Sequence, residues 1–131
     1  KNLAIQSLKK KPVISIYGND YKTKDGTCIR DYMHVSDLVD AHVKTLNYLN
    51  TKSKSLILNC GYGKGYSVLD IVKIFQKNNS LLTIDCKSRR TGDVDMVYAD
   101  VKKIKKILKW KPKYDNINKI IKSSIRWEKL K

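Results

Sequence analysis

Residues 56–75, LILNCGYGKGYSVLDIVKIF, read as a strand, a glycine-rich turn and a helix. Backbone amides that cradle phosphates are arranged in the same order. A dinucleotide fingerprint needs G-x-G-x-x-G, because the glycines serve the tight turn, the close approach of the pyrophosphate and the helix packing. Gly61 and Gly63 take the first two places, but Tyr66 takes the third and Gly65 comes one residue early. Asp85 lies at the range where a ribose-binding acid is expected, but at the wrong place in its strand. No Gly-Lys-Ser/Thr follows, which excludes a P-loop. Ser67 and Asp70 instead form a capping box, with Asp in place of the usual Glu or Gln. The turn therefore reads as structural.

The other reactive side chains assemble nothing by spacing. Cys28, Cys60 and Cys86 are scattered, with no C-x-x-C pair and no histidine at ligand distance. This argues against a disulfide framework or a zinc site and fits a reducing cytoplasm. His34 and His42 lack the carboxylate pattern of a metal site. The sequence thus predicts no metal and no membrane, since no apolar run approaches the length of a membrane span. A net charge of +16 raises nucleic acid or another polyanion as a partner. The lysines, however, spread over the whole chain. In DVKKIKKILKWKPK they surround an apolar stripe of Val101, Ile104, Ile107 and Leu108, the pattern of a solvated helix face. Nucleic-acid binding ranks second.

Strands and helices must position whatever site exists, and they alternate. A helix is expected over residues 3–9, and a buried strand in PVISIYG. A polar loop follows with a turn at Asp25-Gly26. Helical spacing runs from Val35 to Leu49, with Ser36 as N-cap. A buried strand is expected at 55–60, a helix at 67–77 and a strand at 81–86. A loop over 87–98 precedes a helix capped by Asp100. The last helix, INKIIKSSIRWEKL, carries Ile117, Ile120, Ile121, Ile125 and Trp127 on one side. This alternation predicts an α/β architecture with parallel pairing.

The segment YGNDYKTKDGTCIRDYMHVSDLVDAHV, residues 17–43, resembles the signature of the UDP-glucose 4-epimerases, in the extended short-chain dehydrogenase/reductase superfamily. The likeness continues through LNCGYGKGYSVLDIV, RRTGDV, YAD..K and LKWKPKYD. It covers essentially all of residues 1–131 and corresponds to the C-terminal, UDP-sugar-binding portion of such an enzyme. The resemblance implies an N-terminal Rossmann domain that binds NAD, supplies a catalytic Tyr-x-x-x-Lys pair and makes a homodimer. No tyrosine here precedes a lysine at that spacing in a matching context, so no catalytic residue and no bound cofactor are expected in this chain by itself. The helix and strand over 35–60 are expected to pack on that Rossmann domain.

The same resemblance implies a UDP-glucose and UDP-galactose site. Arg30 and Arg90 match arginines that hold the diphosphate, a task suited to the forked donors of a planar guanidinium. Asp93 matches the acceptor of the ribose hydroxyls, and Tyr32 an aromatic near the ribose. Ser15, Ile16 and Tyr17 match the backbone that reads the uracil edge. Without the family, these would read as surface ion pairs, a loop cap, a core tyrosine and a plain core strand. Val97 matches the position facing the sugar, and its size predicts room for N-acetylated UDP-hexoses.

Overall fold

The computed structural model describes residues 1–78 and 81–131. Helix α1 (Asn2–Gln6) leads into strand β1 (Val13–Tyr17). A long loop then reaches β2 (Ile29–Arg30) and helix α2 (Val35–Lys52). Strand β3 (Tyr66–Ser67) runs directly into α3 (Val68–Asn78), and β4 (Thr83–Lys87) and β5 (Met96–Val97) follow. Helices α4 (Lys102–Leu108) and α5 (Ile117–Lys129) complete the α/β order that alternation predicts.

Two small sheets form among the described residues. Strands β1 and β4 pair in parallel, with Ser15 opposite Asp85 and Tyr17 opposite Lys87. In the second sheet β2 lies between β3, antiparallel, and β5, parallel, so that Arg30 stands opposite both Tyr66 and Val97. The larger core gathers Ile16, Ile71, Val72, Phe75, Ile117 and Ile121 between β1, α3 and α5. A second core joins Ala41 of α2 to Ile104 of α4 around Tyr62 and Trp110. Ile120 packs against both cores and connects them.

Local chemistry explains the helix ends. Ser67 Oγ accepts the Asp70 N–H at 2.9 Å, and the Asp70 carboxylate accepts the Ser67 N–H at 3.1 Å, which completes the expected capping box. Asp100 accepts the Lys102 N–H at 3.0 Å at the start of α4. Helix α1 ends at Gln6, earlier than expected, where the Ser7 hydroxyl donates to the Ala4 carbonyl at 2.8 Å.

Three expectations need correction. His34, and not Ser36, is the N-cap of α2, its Nδ1 accepting the Ser36 N–H at 3.1 Å. Trp127 does not join the buried face of α5 but is 61% exposed. Residues 55–60 form no strand. A strand requires a ladder partner for its amides and carbonyls, and none of the described strands pairs there. Ile57 accordingly stands 85% exposed.

Candidate functional site

A cleft of about 630 Å³ opens beside β1, between α1, α3 and α5. Ser15, Ile16, Tyr17, Tyr32, Arg90 and Asp93 all line it. Strand β1 presents itself there in a particular way. The Thr83 N–H donates to the Pro12 carbonyl at 3.0 Å and the Gly18 N–H to the Lys87 carbonyl at 2.8 Å. In a parallel ladder alternate residues of a strand point their backbone groups at the same neighbour. The even-numbered residues of β1 therefore face β4, and the peptide groups of Ser15 and Tyr17 face away from it. Among the described residues β1 pairs with β4 alone. Ile16 buries its side chain in the larger core and turns its peptide groups to β4, so it bounds the cleft without offering it a free backbone group.

Arg90 places its guanidinium 3.7 Å from the centre of the Tyr17 ring. A cation over an aromatic face is held without spending its N–H donors. Tyr32 packs against the larger core, and burial pushes its hydroxyl up to about 12, so it stays neutral at ordinary pH. Arg30 and Val97 do not line the cleft. Arg30 donates to the Ile29 and Val94 carbonyls at 2.8 and 2.9 Å, and more loosely to Asp93 at 3.5 Å. It holds the 93–94 loop in place. Val97, opposite Arg30 in the small sheet, is 52% exposed.

The glycine turn is occupied from within. Asp31 accepts the N–H of Tyr62 at 3.0 Å, of Gly63 at 3.0 Å and of Ala99 at 3.3 Å. These are the kind of donors a phosphate would use, and the carboxylate fills their place. Gly61 is required because a Cβ there would lie 2.4 Å from Asp31 Oδ2. The turn consequently does not fit a dinucleotide. The spacings Tyr48–Lys52 and Tyr98–Lys102 repeat that of a catalytic pair, but none of the four residues lines the cleft.

Sequence reasoning missed two further carboxylate roles. Asp37, buried in α2, accepts the Tyr62 hydroxyl at 2.6 Å and the N–H groups of Lys113 and Tyr114, each at 2.9 Å. Burial opposes its charge, but the Tyr62 hydroxyl and the two backbone amides outweigh that and hold its carboxyl below the usual value. Asp25 likewise ties the Thr27 turn to Ser67 of the capping box, at 2.5 Å. Both acids sit in or beside the quoted signature, but neither has a local pattern that reveals such distant partners.

Comparison with known proteins gives the family. A family profile described as GDP-mannose 4,6 dehydratase matches residues 2–123. The chain belongs to this family. It is an α/β, C-terminal part of an extended short-chain dehydrogenase/reductase. A UDP-glucose 4-epimerase of Azospirillum brasilense is 42% identical over 123 residues, covering 93% of this chain and 35% of that protein. A putative UDP-arabinose 4-epimerase of Arabidopsis thaliana is 46% identical over 120 residues, covering 91% of this chain and 28% of its own length. The chain thus spans about a third of the curated relatives it matches.

Solved structures agree on the dehydrogenase/reductase fold. The UDP-Glc/GlcNAc 4-epimerase of Campylobacter jejuni superposes with a TM-score of 0.85 at 38% identity, covering 98% of this chain and 39% of that one. A Stenotrophomonas maltophila UDP-glucose 4-epimerase, solved with NAD and formylated UDP-arabinopyranose, gives 0.89 at 31% identity, with 98% and 38% covered. Among the described residues no helix is long and apolar enough to cross a membrane. Nor does any group of His, Cys, Asp and Glu among them form a metal site.

Proposed function

We propose that this chain is the UDP-sugar-binding C-terminal part of an NAD-dependent 4-epimerase that interconverts UDP-glucose and UDP-galactose. One observation carries the reading: the outward-facing peptide groups of Ser15 and Tyr17, the Arg90 guanidinium and the Asp93 carboxylate share one cleft. In this reading the open edge of β1 pairs with uracil, Asp93 accepts the ribose hydroxyls and Arg90 holds the diphosphate. Arg30 joins Arg90 once ligand charge competes with its loose 3.5 Å contact to Asp93. The oxidation and re-reduction at C4 belong to NAD and to a Tyr-x-x-x-Lys pair outside this chain. The share of the chain is anchorage. It grips the nucleotide at points remote from C4, and those contacts need not change when the sugar turns.

Helix α2 fits the same reading. Val35, Val39, Val43 and Leu46 form an exposed apolar stripe along it, the face proposed to lie against the Rossmann domain together with residues 55–60. Calorimetry with UDP tests the proposal, with circular dichroism reporting that each variant is folded. Arg90→Ala weakens binding at least about tenfold, the scale of one charge-assisted contact. An unchanged affinity refutes the assignment. Steeply salt-dependent DNA binding without UDP affinity would instead establish a polyanion module. In the same reading Val97, outside the nucleotide cleft, faces the sugar and leaves space for an N-acetyl group, so Val97→Tyr in the whole enzyme reduces turnover of UDP-N-acetylglucosamine relative to UDP-glucose. Equal rejection of that sugar by both forms sinks the specificity assignment.

A further inference from the structure

The cleft arginine has a neighbour that never enters the cleft. Arg89 does not line the cleft that Arg90 lines, and three separate groups fix it. Its Nε donates to Asp20 Oδ1 at 2.7 Å, its Nη2 donates to the Asp20 carbonyl, and its guanidinium stacks 4.2 Å from the centre of the Tyr21 ring. Its aliphatic stem passes under Gly18, where a Cβ would lie 2.8 Å from Arg89 Cγ and 2.5 Å from the Tyr21 ring. The backbone there has φ +83°, which also favours glycine. The two consecutive arginines thus stack on two tyrosines of one segment, Arg89 on Tyr21 and Arg90 on Tyr17.

We infer that Arg89 is a positioning residue that sets the reach of Arg90 towards a nucleoside diphosphate, by clamping the start of the 88–95 loop to the 18–21 turn. This inference rests on the proposed UDP site. An exposed Arg–Asp pair contributes little stability by itself, and Asp20 is largely solvent-accessible. The value of the clamp is orientational. A guanidinium offers a planar fork and a stacking face, and a lysine at the same place offers neither. Without the clamp the loop would have to be ordered by the ligand, and that ordering subtracts from affinity. The Tyr21 hydroxyl is buried and makes no hydrogen bond among the described residues, so the clamp uses the ring alone.

A mutant cycle read by UDP calorimetry tests the inference. Arg89→Ala weakens UDP binding by about three- to tenfold, and in an Arg90→Ala background it has less than about a twofold further effect, because coupled residues are not additive. Arg89→Lys fails to rescue, whereas Tyr21→Phe binds as the wild type does. Equal losses in both backgrounds, or full rescue by lysine, overturn the clamp while leaving the UDP site intact. If the wild-type chain binds no UDP, or Arg90→Ala binds it normally, the site and the clamp fall together. Asp20→Asn, at an exposed position, supplies the same readout should Arg89→Ala not fold, and unchanged affinity there also overturns the clamp.

Discussion

Replacing Asp37 should unfasten α2 from the segment before α5. Its carboxylate takes three hydrogen bonds at 2.6, 2.9 and 2.9 Å while only 2% exposed. Asp37→Ala strands the Tyr62 hydroxyl and the amides of Lys113 and Tyr114. Each of these donors costs about 1–3 kcal/mol where it is left unpaired and out of reach of water. Partial access of water to the opened site limits the total to about 3–5 kcal/mol, as for removal of one partner from a buried charged pair. Asp37→Asn keeps one carbonyl acceptor but turns an amide NH₂ towards a donor, at a cost of about 1–3 kcal/mol. Urea unfolding reads both as a fall in midpoint at unchanged slope. A loss below about 1 kcal/mol in Asp37→Ala, with the slope unchanged, would refute the role given to this carboxylate. If that variant does not fold, Asp37→Asn decides.

The pH dependence follows from the same contacts. Asp37 is held below its ordinary value of 3.8, so it stabilises the fold fully above that value. The contribution is lost as pH falls through the lower, folded-state value. The stability gap between wild type and Asp37→Asn is therefore full at neutral pH and closes only in acid below about pH 4. A gap that closes near neutrality contradicts the assignment.

Two further substitutions test the turn and the cap. Gly61→Ala drives a methyl against Asp31 Oδ2 and the Ala99 Cβ, at 2.4 and 2.8 Å, and should lower stability by about 1–3 kcal/mol in urea. A midpoint equal to wild type would show that the turn yields freely. Ser67→Ala removes both the cap of α3 and the 2.5 Å contact to Asp25, at a cost of about 1–2 kcal/mol. Thermal melting that does not move would contradict that cost.

What the sequence revealed was mostly local. The Ser67–Asp70 box depends on residues three apart, and the structure contains it. The strand in PVISIYG is legible because its apolar run is continuous and Pro12 marks its start. Ser36 reads as an N-cap because hydroxyls commonly cap helices, but α2 already begins at Val35, so Ser36 lies inside it and the His34 ring nitrogen accepts the Ser36 N–H. Residues 55–60 have the composition of a strand, and composition cannot supply a partner. Asp31 and Asp37 reach residues 25 to 77 positions away, distances over which no periodicity operates. Arg89 and Arg90 are equivalent in sequence and differ in the tyrosine each one stacks on, Tyr21 and Tyr17.

The Asp31 contact has a consequence for any search for nucleotides at the glycine turn. A carboxylate tethered by the chain's own fold is present at an effective concentration that a freely diffusing phosphate cannot match. It acts as a resident competitor that never dissociates while the fold persists. Glycine spacing can therefore mark a self-quenched anion site, one in which the protein has supplied the anion itself. Whether such a turn holds a nucleotide is then decided by an aspartate some thirty residues upstream, and not by the glycines.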